Sequence, residues 1–206
     1  MNTINITIAL NKAVLYPAYV MLRSLAKNHT TCQLHVYVLY HELNEENCNF
    51  LKDALLRGMD NNQIFFISID AKRTSDLPYN PPWSVEIYYR LMLPELLGDQ
   101  IDRILYLDVD IIINKDITEF YFTDFEDKLM IVSKDMEFEQ TLSTDTPESK
   151  PRHEFFRELS KDGMTYFCSG VLLMNLSKLK EFYSFDKYKE IFVQFMIKQA
   201  FRIKIY

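Results

Sequence analysis

Between Arg103 and Ile113 the chain reads RILYLDVDIII: five residues with the character of a buried strand, two aspartates separated by one residue, then three isoleucines. Carboxylates in so apolar a run are costly unless something compensates their charge. In open α/β sheets ligands gather beyond the carboxyl ends of strands. The segment therefore marks Asp108 and Asp110 as candidate site residues and asks for a sheet whose edge they occupy.

The rest of the chain supplies such a sheet. Ile4 to Leu10 is an apolar run bounded by Asn residues, and Tyr16 to Asn28 has helical periodicity through Tyr19, Leu22, Leu25 and Ala26. Leu34 to Leu39 reads as a second strand, Asn44 to Arg57 as a helix closed by Gly58, and Ile64 to Ile69 as a third strand. Strands alternating with helices predict parallel pairing and an α/β architecture. After Pro78, Pro81 and Pro82, Ser84 is expected to cap a helix reaching Leu97. Leu129 to Ser133 and Tyr166 to Leu176 read as strands, with a long polar loop expected from Asp135 to Gly163. Leu179 to Tyr183 and Tyr188 to Gln199 read as helices, and Phe201 to Tyr206 has strand composition.

Composition narrows the function classes. A chain of 206 residues that is 48% hydrophobic and 14% aromatic has enough apolar material for a buried core, which excludes disorder as its main state. The formal net charge of −6 argues against a protein that grips nucleic-acid backbones. Cys32, Cys48 and Cys168 form no CxxC pair and are expected as reduced, buried thiols. The amino-terminal residues MNTINITIAL do not resemble a secretory signal, no apolar run is long enough to cross a bilayer, and a cytoplasmic setting is expected. The three Asn-x-Ser/Thr sequons at Asn5, Asn28 and Asn175 are then read as chance.

Residues i and i+2 of an extended chain project to one side, so Asp108 and Asp110 can present both carboxylates to one point. A hard divalent ion, Mg²⁺ or Mn²⁺, with a ligand's phosphates completing its shell, relieves their repulsion. A lone Asp-x-Asp is expected by chance in a chain with 15 Asp, and the bland alternative is a solvated turn. ILYLDVDIII also superficially resembles the motif of haloacid-dehalogenase-like phosphohydrolases, in which an Asp-x-Asp supplies a nucleophile and an acid. Against that reading, 107 residues precede the motif here, Ile111 follows it, and no later Asp-Asp pair exists.

Four ordered segments carry a stronger resemblance. ITIALNKAVLYPAYVMLRSL, EIYYRLMLPELL, RILYLDVDIIINKDI and YFCSGVLLMNLSKLK together resemble glycosyltransferase family 8, the lipopolysaccharide galactosyltransferase and glycogenin-like group. The resemblance covers about residues 4 to 199. It implies a GT-A type nucleotide-diphospho-sugar transferase fold, a Rossmann-like mixed sheet flanked by helices, as a single domain over 1–206. It also implies a metal-dependent, retaining transfer of a glucose- or galactose-type hexose from a UDP-sugar to a saccharide, in cell-surface polysaccharide or lipopolysaccharide synthesis. By the same resemblance Asp108 and Asp110 ligate Mn²⁺ or Mg²⁺, and Ala9, Asn11, Arg90, Val109, Asp135, Ser169 and Gly170 line the donor site. Asn11 would lie near the uracil, Val109 near the ribose, Arg90 at the phosphate or sugar, and Asp135 at sugar hydroxyls. The Ser169-Gly170 backbone would let the sugar approach closely.

The sequence also departs from the family pattern. Cys168 stands where Asn is common, and Val14 replaces an aromatic that stacks on the base, a role Tyr16 could take over. Neither the family's Asp-Gln-Asp segment nor its late metal-binding histidine is found, and His29, His35, His41 and His153 occupy no equivalent place. A domain lacking the family's carboxyl-terminal part is therefore expected, and an impaired remnant that binds only UDP and metal stays open beside the enzyme. A homodimer and an association with the inner face of the membrane complete the expectations.

Overall fold

The computed structural model describes residues 2–28, 32–58, 61–78, 84–143, 151–161, 163 and 165–192. The expected strand in Phe201–Tyr206 lies outside the described residues, as does the end of the helix expected over Tyr188–Gln199, which is helical over its described part.

Strands β1 (Thr3–Leu10), β2 (Gln33–Tyr40), β3 (Gln63–Ser68), β4 (Arg103–Leu107), β5 (Met130–Lys134) and β6 (Phe167–Asn175) form one sheet in the order β3-β2-β1-β4-β6-β5. β3, β2, β1 and β4 run parallel, while β6 is antiparallel to both β4 and β5. The sheet is therefore mixed, as the family resemblance implies. Helices α1 (Leu15–Asn28) and α2 (Glu45–Leu56) cover one face, and α3 (Leu93–Leu97) and α7 (Leu176–Phe182) the other.

Side-chain alternation along the strands builds two cores. Ile4, Ile6, Ile8 and Leu10 of β1 all point into the core shared with Met21, Leu22, Leu25, Leu51 and Leu55. Strand β4 divides its residues between the faces: Leu105 and Leu107 enter that core, whereas Ile104 and Tyr106 enter the second one with Tyr89, Met92, Leu93 and Leu179. This double burial is why residues 104–107 read as a continuous apolar run. Two residue pairs form the β1–β4 ladder, and near the amino-terminal end of β4 the hydroxyl of Tyr121, from α4 (Thr118–Tyr121), joins the strands. It accepts from the Asn5 backbone N–H at 3.2 Å and donates to the Arg103 carbonyl at 3.0 Å.

Three expectations need correction. Ser84 to Leu97 is not one helix: Val85–Met92 forms a 3₁₀ helix, Ser84 makes no side-chain cap, and α3 begins afresh at Leu93. Pro94 has no N–H to offer the Arg90 carbonyl, so a continuous α-helix cannot run through it. The expected loop from Asp135 to Gly163 contains α5 (Met136–Ser143) and α6 (Pro151–Lys161). Their polar composition hides a small apolar seam, in which Phe138 and Phe156 are buried against each other at 5.2 Å and Phe156 lies 4.9 Å from Tyr166. The three thiols are free but half-buried: Cys32 packs against the margin of the first core, Cys48 lies within α2 and Cys168 near the start of β6.

Candidate donor-binding cleft

Alternation puts Asp108, the residue after β4, on the same side as Tyr106, and Val109 with Leu107 in the opposite core. The buried Val109 anchors the turn in which Asp110 is exposed. The pair therefore stands at the end of the strand rather than inside it, and the isoleucines that follow are not core-like throughout: Ile112 is 62% exposed.

Asp108 is held from three directions. The Tyr106 hydroxyl donates to its Oδ1 at 2.8 Å, and Arg90 Nη2 donates to the same oxygen at 3.2 Å. Its own N–H donates to the Gly170 carbonyl at 2.8 Å. Arg90 lies over the Tyr106 ring at 4.1 Å and also donates to the Ser169 and Ile87 carbonyls. Burial drives the Tyr106 hydroxyl well above its ordinary pKa, with Arg90 opposing it, so Tyr106 stays a neutral donor. Gly170 has a steric reason unforeseen in the sequence: a Cβ there would lie 2.8 Å from Asp108 Oδ2. The space a side chain would fill is taken by the aspartate itself.

These groups open onto a cleft of about 900 Å³. All nine residues expected at the donor site line it: Ala9, Asn11, Arg90, Asp108, Val109, Asp110, Asp135, Ser169 and Gly170. A bulge assembles the last two. Val132 of β5 pairs with Leu172, but the next residue, Ser133, pairs with Cys168, so residues 169–171 of β6 have no partner on β5, and Ser169 and Gly170 line the cleft. Asp135 Oδ1 caps α5 by accepting from the Phe138 N–H at 3.0 Å. Asn11 likewise caps a 3₁₀ turn over Lys12–Val14, its Oδ1 accepting from Ala13 N at 2.9 Å. Its Nδ2 donates to Glu86 Oε2 at 3.1 Å.

Glu86 and Tyr106 escaped the sequence reading. A signal for Glu86 was its position four residues before Arg90 in an otherwise apolar stretch; for Tyr106 it was its shared face with Asp108. Val14 lines the cleft, but Tyr16 does not: it is 77% exposed, meets Phe50 edge-on at 5.4 Å, and borders a separate apolar hollow with Val20 and Ile112. Of the histidines, His29 and the side chain of His153 lie outside the described residues, and neither His35 nor His41 lines the cleft.

The donor set suits a hard ion in part. Two carboxylates with a ligand's phosphate oxygens match the way Mg²⁺ or Mn²⁺ is held at phosphate sites. Oδ1 of Asp108 is engaged by Tyr106 and Arg90, which leaves Oδ2 and the exposed Asp110 as the oxygens to offer. Among the described residues no group of three or more His, Cys, Asp or Glu side chains could hold a metal.

Residues 5–197 match the profile of glycosyl transferase family 8. The chain belongs to that family. It is 24% identical over 174 residues to a lipopolysaccharide 1,2-glucosyltransferase of Escherichia coli, covering 84% of this chain and 48% of that protein. It is 27% identical over 177 residues to a lipopolysaccharide 1,3-galactosyltransferase of Salmonella typhimurium, with the same coverage of each. Among solved structures, the galactosyltransferase LgtC in complex with donor and acceptor sugar analogs superposes with a TM-score of 0.72 at 25% identity, over 93% of this chain and 64% of that one. This likeness, with the mixed sheet, establishes the GT-A fold. The family 8 chain described here spans about half the length of these lipopolysaccharide glycosyltransferases.

Proposed function

We propose that this family 8 chain carries the donor site of a metal-dependent, retaining glycosyltransferase, which moves a glucose- or galactose-type hexose from a UDP-sugar to a saccharide of lipopolysaccharide or another cell-surface polysaccharide. The observation that carries the reading is the meeting of Asp108, Asp110, Asp135, Ser169 and Gly170 in one cleft at the carboxyl end of β4. The names of the relatives support sugar transfer as the chemistry.

Asp108 and Asp110 hold the ion. Mn²⁺ or Mg²⁺ bound there would neutralise the charge gathering on departing UDP. Arg90 positions the site, tying the Asp108 carboxylate to the Ser169 carbonyl. Asp135 and the Ser169-Gly170 backbone accept and orient the sugar, and Val109 lies along the ribose. The protein acts in the cytoplasm, at the inner face of the membrane, and no described helix is long and apolar enough to cross it. Exposed Tyr16, Val20 and Ile112 form an apolar face suited to a homodimer, which sedimentation tests: a monomer across the micromolar range refutes that part.

Isothermal titration with UDP and Mn²⁺, alongside UDP released from UDP-glucose and UDP-galactose, tests the whole. Binding with release supports the enzyme. Binding without release supports a second reading, a donor-binding domain without turnover, favoured by the lack of a third protein ligand among the described residues. Cleavage of simple phosphoesters with no preference for sugar nucleotides would point to the phosphohydrolase.

A further inference from the structure

The cleft contains an acidic group with no assigned purpose. Glu86 is 8% exposed and lines the cleft near Asn11, on the 3₁₀ helix Val85–Met92. Among the described residues it forms no ion pair, and its polar contact is the Asn11 amide at 3.1 Å. A carboxylate so enclosed is an acceptor with room for several donors, and one neutral amide satisfies little of that capacity. Asn11, by contrast, is largely committed: its carbonyl oxygen caps the Lys12–Val14 turn and one amide hydrogen holds Glu86. The residue expected near the base thus also positions a second group, Glu86.

We propose that Glu86 is the specificity-determining residue for the nucleoside of the donor, accepting a hydrogen bond from the ring N–H of a uracil-type base. The inference rests on the donor-site reading above. An anionic acceptor suits a base that presents a ring N–H, and repels one that presents a ring-nitrogen lone pair at the same place. The remaining Asn11 amide hydrogen is a donor beside that acceptor, the complement of a carbonyl next to an N–H. Hydrogen bonds to ionised groups are the stronger kind, so one such contact is enough to rank bases.

The test titrates UDP, N3-methyl-UDP and 2′-deoxy-UDP into the 206-residue protein with Mn²⁺, for wild type and Glu86→Gln. In the variant the Asn11 N–H claims the glutamine oxygen and leaves its NH₂ toward the base. Expected is a loss of about tenfold or more for UDP and for 2′-deoxy-UDP, and little change for N3-methyl-UDP, which wild type already binds weakly. Glu86→Asp, which keeps the charge but withdraws it by one methylene, is the second variant, with the same loss of discrimination between UDP and its N3-methyl form. Equal weakening of all three ligands, a loss that vanishes with the deoxy sugar, or UDP affinity unchanged in both variants overturns the assignment while leaving the donor site standing. Wild-type protein that takes up no UDP overturns both.

Discussion

Replacing Gly170 by alanine tests the geometry of the cleft at its tightest point. An alanine Cβ would meet Asp108 Oδ2 at 2.8 Å, Cγ at 3.3 Å and Cβ at 3.5 Å, so the whole side chain blocks it and rotation alone offers little relief. To reach the 3.4 Å at which ordinary contact begins, Oδ2 has to retreat by about 0.6 Å. Retreat strains the bonds from Tyr106 and Arg90 to Oδ1 and the main-chain bond from Asp108 N to Gly170 O. Overpacking of this kind costs about 1–3 kcal/mol. If ligand binding needs Asp108 where it stands, restoring it costs a similar amount, and affinity for UDP with Mn²⁺ falls by roughly 5- to 150-fold. The assay is calorimetric titration of Gly170→Ala beside wild type, with thermal unfolding to show that the variant is folded. Affinity within twofold of wild type, at an unchanged Tm, would refute the claim that Gly170 exists to make room for the aspartate.

Three further perturbations follow from single contacts. Tyr106→Phe removes one of the two side-chain donors on Asp108 Oδ1 and should weaken UDP–Mn²⁺ binding by roughly 10- to 150-fold while leaving the fold intact, since a bond to a charged group is worth about 1.5–3 kcal/mol; titration decides, and unaltered affinity would show that Arg90 alone suffices. Tyr121→Phe strips the hydroxyl that links Asn5 to Arg103 and should cost about 1–3 kcal/mol, lowering Tm by several degrees without touching the cleft. His35, whose Nε2 is buried and has no hydrogen-bond partner among the described residues, has its pKa lowered by burial from the ordinary 6.5. The unfolded chain therefore takes up a proton that the folded one refuses, and the stability contributed by neutral His35 is lost as pH falls from about 6.5 toward the folded value. Denaturant unfolding of His35→Phe should show a shallower decline than wild type across that window; parallel curves would exclude the histidine.

Much of the fold was legible because its signals are local. The β1 and β4 segments announce themselves through side chains whose partners are simply any apolar surface, and the Asn44 cap opens α2 at Glu45 through a reciprocal bond with Asn47 only three residues away. The candidate site was legible to the extent that it hangs on β4, because a strand's end is where ligands collect in such sheets. The misreadings share a cause. Asp135–Gly163 read as loop because α5 and α6 bury only narrow seams, and Tyr16, offered as a substitute for the missing base-stacking aromatic, is set by the start of α1 at the neighbouring hollow.

Periodicity alone thus determined an α/β sheet with two aspartates at the rim of a central strand, since side-chain alternation and helical spacing depend on neighbours in sequence. Only the tertiary structure decided that Asn11 would meet Glu86 across 75 residues and Arg90 meet Ser169 across 79. It likewise decided that Asp108 would fill the space left by Gly170. The contacts at Ser169 and Gly170 depend on the register of β4 against β6 and on a bulge at which β5 skips residues 169–171, and a slip of one position would reverse which face each side chain serves.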